Sequence, residues 1–324
     1  MSDSQSAKHP FATVIAILVG ISPLAAIMVW AALPIKPGDI KGHQLYLEAE
    51  HLRVEAERLR GDGQIEEADN QIRRVIELCE QALEWNPQSS DAYCTKALAL
   101  AFSGKVAQAM PQFFEAHRIK PSHPVANFNI GSFYHRQGRL EKAQQYYEMT
   151  LLVSRGHAEA HNNLAMLLSG DKALDHYQSA VRLKPDYFEG HRNLANTLRS
   201  MGRIDAAVTH YQKAMQIAPE SVEPCFMLAL IRAEHSNAKY RDPDEAIEYA
   251  TRAAQLTNYR EPTVLKVLAA AQALAGRLGE AIATTEQALA IASKAQHAQL
   301  ASQIDKRLQL YRKQQAHQDG ETLP

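Results

Sequence analysis

His157 and His161 stand four residues apart with Glu159 between them, and on a helix that spacing would put two imidazoles on one face, as a metal-binding pair requires. The order is H-A-E-A-H. A zinc protease needs H-E-x-x-H, with the carboxylate next to the first histidine as general base, so Glu159 is misplaced for that work. Cys79, Cys94 and Cys225 are far apart, fall in helical segments and form no C-x-x-C pair, which reads as buried free thiols rather than a zinc or redox site. No glycine-rich phosphate loop, G-x-S-x-G elbow or paired-carboxylate constellation stands apart from the rest of the chain. We therefore expect no enzyme activity, no cofactor and no metal site. A formal net charge of -1 over 324 residues gives no basic footprint for nucleic acid.

A second chemistry is carried by carboxamides. Asn129, Asn163 and Asn193 each lie two residues before a small residue, Gly131, Ala165 or Ala195, at the same place in three successive stretches of chain. Asparagine is a mediocre helix former, so propensity does not account for three in register. A carboxamide offers a donor and an acceptor and can pair with the N–H and C=O of one peptide unit. Helices about 10 Å apart would meet an extended chain at about every third residue. With Phe128, Asn162, Arg192 and Asn196 these residues make a candidate peptide-binding groove. The other reading is that the amides bond to neighbouring helices or to water. Thr95, Met227 and Val267 hold the same place in flanking stretches, so such a track covers only the middle of the chain.

These side chains must be positioned by helices, and the pattern that sets them is clearest from Phe188 to Ser221. Leu194, Ala195 and Leu198 mark one face of a first helix, Gly202 breaks it, and Ala207, Tyr211 and Ala214 mark a second helix ending before Pro219. Alanine at the crossing lets two helices approach to roughly 8–10 Å, and Tyr211 fills the space towards the next pair. The same places recur at Tyr93, Ala97, Gly104, Ala109, Phe113, Ala116 and Pro121, and again at Ile130, Gly131, Tyr134, Gly138, Ala143 and Tyr147. A third set, Leu164, Ala165, Ala173, Tyr177, Ala180 and Pro185, has a turn about four residues short, so one of its helices must be curtailed. Cys225, Leu228, Ala229, Ala246 and Ala253 surround a longer turn holding Tyr240, Arg241, Asp242 and Pro243, and Leu268, Ala269, Gly276, Ala281 and Ala288 mark the last clear set.

In period and in these residues the pattern resembles the tetratricopeptide repeat. The resemblance implies an all-α fold, a right-handed α-solenoid of about seven helical hairpins at residues 43–295, whose usual work is to hold another protein. It also places Asn129, Asn163 and Asn193 on the inner face, where they resemble the asparagine ladder of O-linked N-acetylglucosamine transferases; the transferase domain itself is absent. Glu189 and Glu223 stand where the clamp for chaperone carboxyl termini would need a cation, so that specificity is not expected. His161 and His191 occupy the repeat's large-residue place, which suits packed structural histidines.

The ends differ. Ile72, Val75, Ile76, Cys79 and Leu83 form a stripe on a second helix about two turns longer than usual, in a divergent first hairpin. Leu300, Ile304, Leu308 and Tyr311 form a one-sided stripe in a polar helix, expected as a cap at 296–316, with a disordered tail at 317–324. At the front, a tail at 1–10 precedes 11–33, a charge-free run from Phe11 to Leu33 long enough, at roughly 34 Å, to cross a bilayer once. Trp30 suits the interface, and Gly20 and Pro23 are tolerated in a membrane helix. The competing reading is a signal peptide cleaved after the small residues Val29 and Ala31, although the apolar run exceeds the usual length for one. A linker at 34–42 would then hold the repeats close to the membrane. Lys8 against Lys36 and Lys41 does not decide orientation; so short a leading tail favours repeats outside the cytoplasm, in a single-pass protein of bacterial type.

The expected function is a membrane-tethered, non-catalytic scaffold that binds a protein or peptide segment in its concave groove. The alternatives are an envelope or cytochrome-maturation type assembly factor acting through its convex face or by self-association, or a non-catalytic subunit of a glycosyltransferase system.

Overall fold

A computed structural model of the chain describes residues 37–319. The expected span at 11–33 and the end of the tail, from 320, lie outside them. Among the described residues there are fifteen α-helices, one short 3-10 turn and no strand. No helix among them is long and apolar enough to cross a membrane.

The helices fall into two compact units, up to Ser154 and from Arg155. The division lies inside the 43–295 stretch expected as one array, in the link ahead of its shortest helix. Unit 1 holds three hairpins: α1 (Pro37–Gly61) with α2 (Ile65–Trp85), α3 (Ser90–Phe102) with α4 (Val106–Ile119), and α5 (Pro124–Arg136) with α6 (Leu140–Val153). Unit 2 holds four: α7 (Ala158–Ala165) with α8 (Gly170–Leu183), α9 (Phe188–Ser200) with α10 (Ile204–Ile217), α11 (Val222–Glu234) with α12 (Pro243–Leu256), and α13 (Pro262–Leu274) with α14 (Leu278–Lys294). Helix α15 (Ala298–Gln318) packs on α14. Each unit is an α-solenoid in which a hairpin packs on the one before it.

The periodicity explains the packing. Ala97, Ala109, Ala143, Ala195 and Ala207 are fully buried at hairpin crossings, and Tyr147 and Tyr211 fill the space beside them. In α5 the small residue is Gly131, because a Cβ there would come within 2.9 Å of the Tyr147 ring. Gly202 turns the chain at φ +74°, a left-handed conformation that costs other residues strain. Helix starts are capped where the sequence allows: the Ser89 side chain accepts from Ala92 N, and Asp242 accepts from Glu245 N ahead of Pro243.

Three departures from the ideal repeat have physical causes. The short third turn is absorbed by the first helix: α7 has 8 residues, against 13 in α9, and α8 begins at Gly170 with φ +60°. Helix α2 has 21 residues and its partner α1 has 25, so the long second helix of the first hairpin is matched by an equally extended first helix. That corrects the expected linker at 34–42, since α1 already begins at Pro37, with Asp39 in its first turn where the helix dipole favours an anion. The cap is α15, running two residues beyond 316, with Ile304, Leu308 and Tyr311 buried as its stripe requires.

Candidate functional site

In unit 2 the first helices α7, α9 and α11 are joined by a continuous chain of polar side chains. Asn193 donates through Nδ2 to Asn162 Oδ1 at 2.9 Å, and Asn162 donates through its own Nδ2 to Asn163 Oδ1 at 3.1 Å. Arg192 donates from Nη2 to Asn193 Oδ1 at 3.1 Å, and its Nη1 reaches Glu223 Oε2 on α11 at 3.5 Å. Glu223 also accepts from Asn196 Nδ2 at 3.2 Å, and Asn196 accepts from the Tyr211 hydroxyl of α10. Four amides, one ion pair and a phenol thus lock three helices in register. Asn162 is only 3% exposed, so it serves as the link between α7 and α9 and is closed to a bound peptide. Asn163, Arg192, Asn193, Asn196 and Glu223 are half-buried and form the accessible strip.

Unit 1 uses the corresponding places otherwise. Asn129 donates through Nδ2 to Val125 O, one turn back in its own helix, at 2.8 Å. Phe128 packs on Tyr147 with ring centroids 5.9 Å apart. At the same place on α3, Thr95 donates to Glu50 Oε2 on α1 at 3.1 Å. The three asparagines in register therefore do two different jobs: Asn129 supports its own helix, while Asn163 and Asn193 belong to a strip linked through Asn162. Sequence reading placed Asn162 among the groove residues, where the structure buries it, and did not identify Glu223 as the acceptor of two groove side chains. The available signal was spacing: Asn162 precedes the ladder place by one residue, which brings it opposite Asn193 across the hairpin step.

The histidines resolve differently from a metal pair. His157 lies ahead of α7 and caps it, with its Nδ1 accepting from Ala160 N at 3.3 Å, so it does not share a helical face with His161. His161 points its Nδ1 at His176 Nδ1 of α8, 2.8 Å away, and its Nε2 at Arg155 O, 3.1 Å away. His191 repeats the arrangement with His210 Nδ1 of α10 at 3.0 Å and Pro185 O at 3.1 Å. Burial pushes His157, His161, His191 and His210 below the ordinary imidazole value. Among the described residues no group of three or more His, Cys, Asp or Glu side chains is placed to hold a metal ion. The three thiols are buried, and burial raises Cys79 to about 12, which removes thiolate reactivity near neutrality.

A second feature lies in unit 1, where α2, α3 and α4 leave an open groove of about 940 Å³ lined by Leu83, Tyr93, Pro111 and Phe114. Two carboxylates on its rim are already engaged, Glu80 by Lys96 at 2.9 Å and Glu115 by Arg118 at 2.8 Å.

With this geometry in hand, comparison with known families gives matches to three models, each described as tetratricopeptide repeat, at residues 78–110, 125–148 and 188–221. The chain carries tetratricopeptide repeats. Two matched stretches fall in unit 1 and one in unit 2, and the last coincides with the clean hairpin α9–α10. No curated protein sequence matches the chain. Among solved structures, Pseudomonas aeruginosa PilF is similar with TM-score 0.53 at 17% identity, over 66% of this chain and 94% of that one. PilW, described as a type IV pilus biogenesis factor, gives TM-score 0.50 at 19% identity, over 68% and 98%. The Cut9–Hcn1 hetero-tetramer of the APC/C gives TM-score 0.50 at 18% identity, over 80% of this chain and 51% of its own. At these identities the likeness to the tetratricopeptide repeat proteins is one of fold.

Proposed function

We propose that the chain is a non-catalytic scaffold that holds an extended segment of a partner protein along the first-helix face of α7, α9 and α11. It is tethered to a membrane by residues 11–33, with its repeats outside the cytoplasm. The observation that supports this reading is the cross-helix strip from Asn163 to Glu223, which is fixed before any partner arrives. A pre-ordered strip loses little side-chain entropy on binding, and each half-buried amide or guanidinium facing a peptide gains a hydrogen bond with little rearrangement. Asn193 illustrates the capacity: a carboxamide has two donor hydrogens, and one of them is spent on Asn162.

The decisive experiment crosslinks partners to the full-length chain in native membranes, then compares their binding to wild type and to an Arg192→Ala, Asn193→Ala double variant. We expect a folded variant whose melting temperature falls by a few degrees, because buried Asn162 loses its donor, and binding weaker by about 1 kcal/mol or more per lost contact. Full binding by the well-folded variant would reject the groove. The open groove over α3 favours the second reading, assembly through the second-helix face, and loss of binding in Tyr93→Ala or Phe114→Ala alone would select it. For the tether, a native amino terminus near Ala32 would show that a signal peptide had been removed instead.

A further inference from the structure

The two imidazole pairs of unit 2 obey one hydrogen-bonding logic. A backbone carbonyl can only accept, so the bonds to Arg155 O and Pro185 O require His161 and His191 to carry their proton on Nε2. Their Nδ1 atoms are then lone pairs. The facing Nδ1 atoms of His176 and His210, at 2.8 and 3.0 Å, must be the donors. Each pair thus has one assigned proton between the rings, and the rings lie tilted with centroids 5.0 and 5.2 Å apart.

Protonation of such a pair has two unequal steps. At most one added proton, on the second-helix ring, is compatible with the Nδ1–H···Nδ1 bond. A second has only the accepting Nδ1 of the first-helix ring to occupy, which would set two N–H groups head to head and drive the rings apart. The charges that act on these rings make the second step harder still: Arg182 of α8 acts on His161, and Lys213 of α10 acts on His191. His157, at the α7 cap, also faces His161. Among the described residues, no carboxylate from the packed helices acts on His161, His191 or His210 to offset them.

His161 immediately precedes Asn162, and His191 immediately precedes Arg192 and Asn193. The pairs that hold α7 to α8 and α9 to α10 therefore also set the position of the strip. We infer that the His161–His176 and His191–His210 bonds form an acid-sensitive clamp that keeps α7 and α9 in register near neutrality and releases the strip in mild acid. The consequence for a partner rests on the scaffold reading above. The clamp itself does not, and its test is read without any partner.

The test is hydrogen exchange of the full-length chain at pH 7, 6 and 5, corrected for the intrinsic pH dependence of exchange. Each pair takes up at least one proton fewer when folded than when opened, so opening of both is favoured about tenfold per pair, and about a hundredfold together, for each pH unit below about 6. Protection of α7–α10 should fall by that factor between pH 6 and 5. A His161→Phe, His191→Phe variant keeps a large side chain at both places and should lose no more than about threefold over the same range. Unchanged wild-type protection, or an equal acid loss in the variant, would overturn the clamp. Should the variant fold poorly, nitrogen NMR of the wild type decides: Nδ1–H tautomers on His176 and His210 at neutral pH are expected, and Nε2–H tautomers on both would end the proposal.

Discussion

Residues 37–154 join helices with aromatic rings: Phe114 meets Phe133 and Tyr134 of the next hairpin with centroids 6.5 and 6.2 Å apart, and within that hairpin Tyr134 stacks on Tyr146 at 5.6 Å. Residues 155–319 use imidazole pairs within hairpins and an amide strip between them, over a core rich in alanine and leucine. The hairpin is the same, yet the two kinds of join respond to different variables. Ring contacts depend on area and shape and carry no titrating proton in the neutral range. Imidazole joins depend on where one proton sits. A repeat architecture fixes where helices cross and leaves open what cements the crossing, which lets one chain carry two sensitivities.

The largest effect should come from Leu194→Asp. Leu194 is 1% exposed in a core that extends from Ala165 to Ile304, so an unpartnered carboxylate there should cost about 3–5 kcal/mol and strip exchange protection from several hairpins of unit 2. If α3–α6 lose protection to the same degree, the two units do not unfold separately and the comparison breaks. Next is acid. His157, His161, His191 and His210 are held, chiefly by burial, below their ordinary value, so from about pH 6.5 downward the unfolded chain binds more protons than the folded one. The stability of residues 155–319 is accordingly whole above that pH and is lost as pH falls towards 5. His123, which caps α5 and meets Asp91 at 3.1 Å, is the unit 1 residue with the same shift, so a smaller acid loss is expected there in exchange at pH 7 and 5.

A smaller effect sharpens the contrast at one repeat place. Gly131→Ala should destabilise by about 1–3 kcal/mol, because the new Cβ meets the Tyr147 ring at 2.9 Å, whereas Ala195→Gly should cost about 1 kcal/mol through helix propensity alone. Denaturant melts of the two variants measure both; a stabilised Gly131→Ala would show that the ring yields. Least of all, Arg192→Ala removes a partly exposed pair with Glu223 at 3.5 Å and should shift stability by less than about 1 kcal/mol.

Much of the fold was legible because it is written in period and residue size. The Ala and Gly crossings, the Tyr fillers and the turn glycines located seven hairpins and a cap, and even the four missing residues near Ser169 pointed to a curtailed helix. The start of α1 was not legible, because a polar helix packed on an extended partner leaves a weak stripe, and Pro37 and Gly38 look like linker residues. The site was legible as a set of residues and not as a circuit. Register brings Asn129, Asn163 and Asn193 to one place, but whether an amide turns back to its own helix or across to the next depends on its neighbours: Val125 O for Asn129, Asn162 for Asn193.

The eight-residue helix α7 carries a lesson about economy of chain. His161, Asn162, Asn163 and Leu164 all fall within it, and the missing residues come from the end that would have led into the turn. Every bond described between this hairpin and its successor is made by what remains. The first hairpin of unit 2 therefore marks how little polypeptide a working module of this array needs, and the last turn of a first helix is spare length, open to being shortened, extended or exchanged while the join to the following hairpin stays in place.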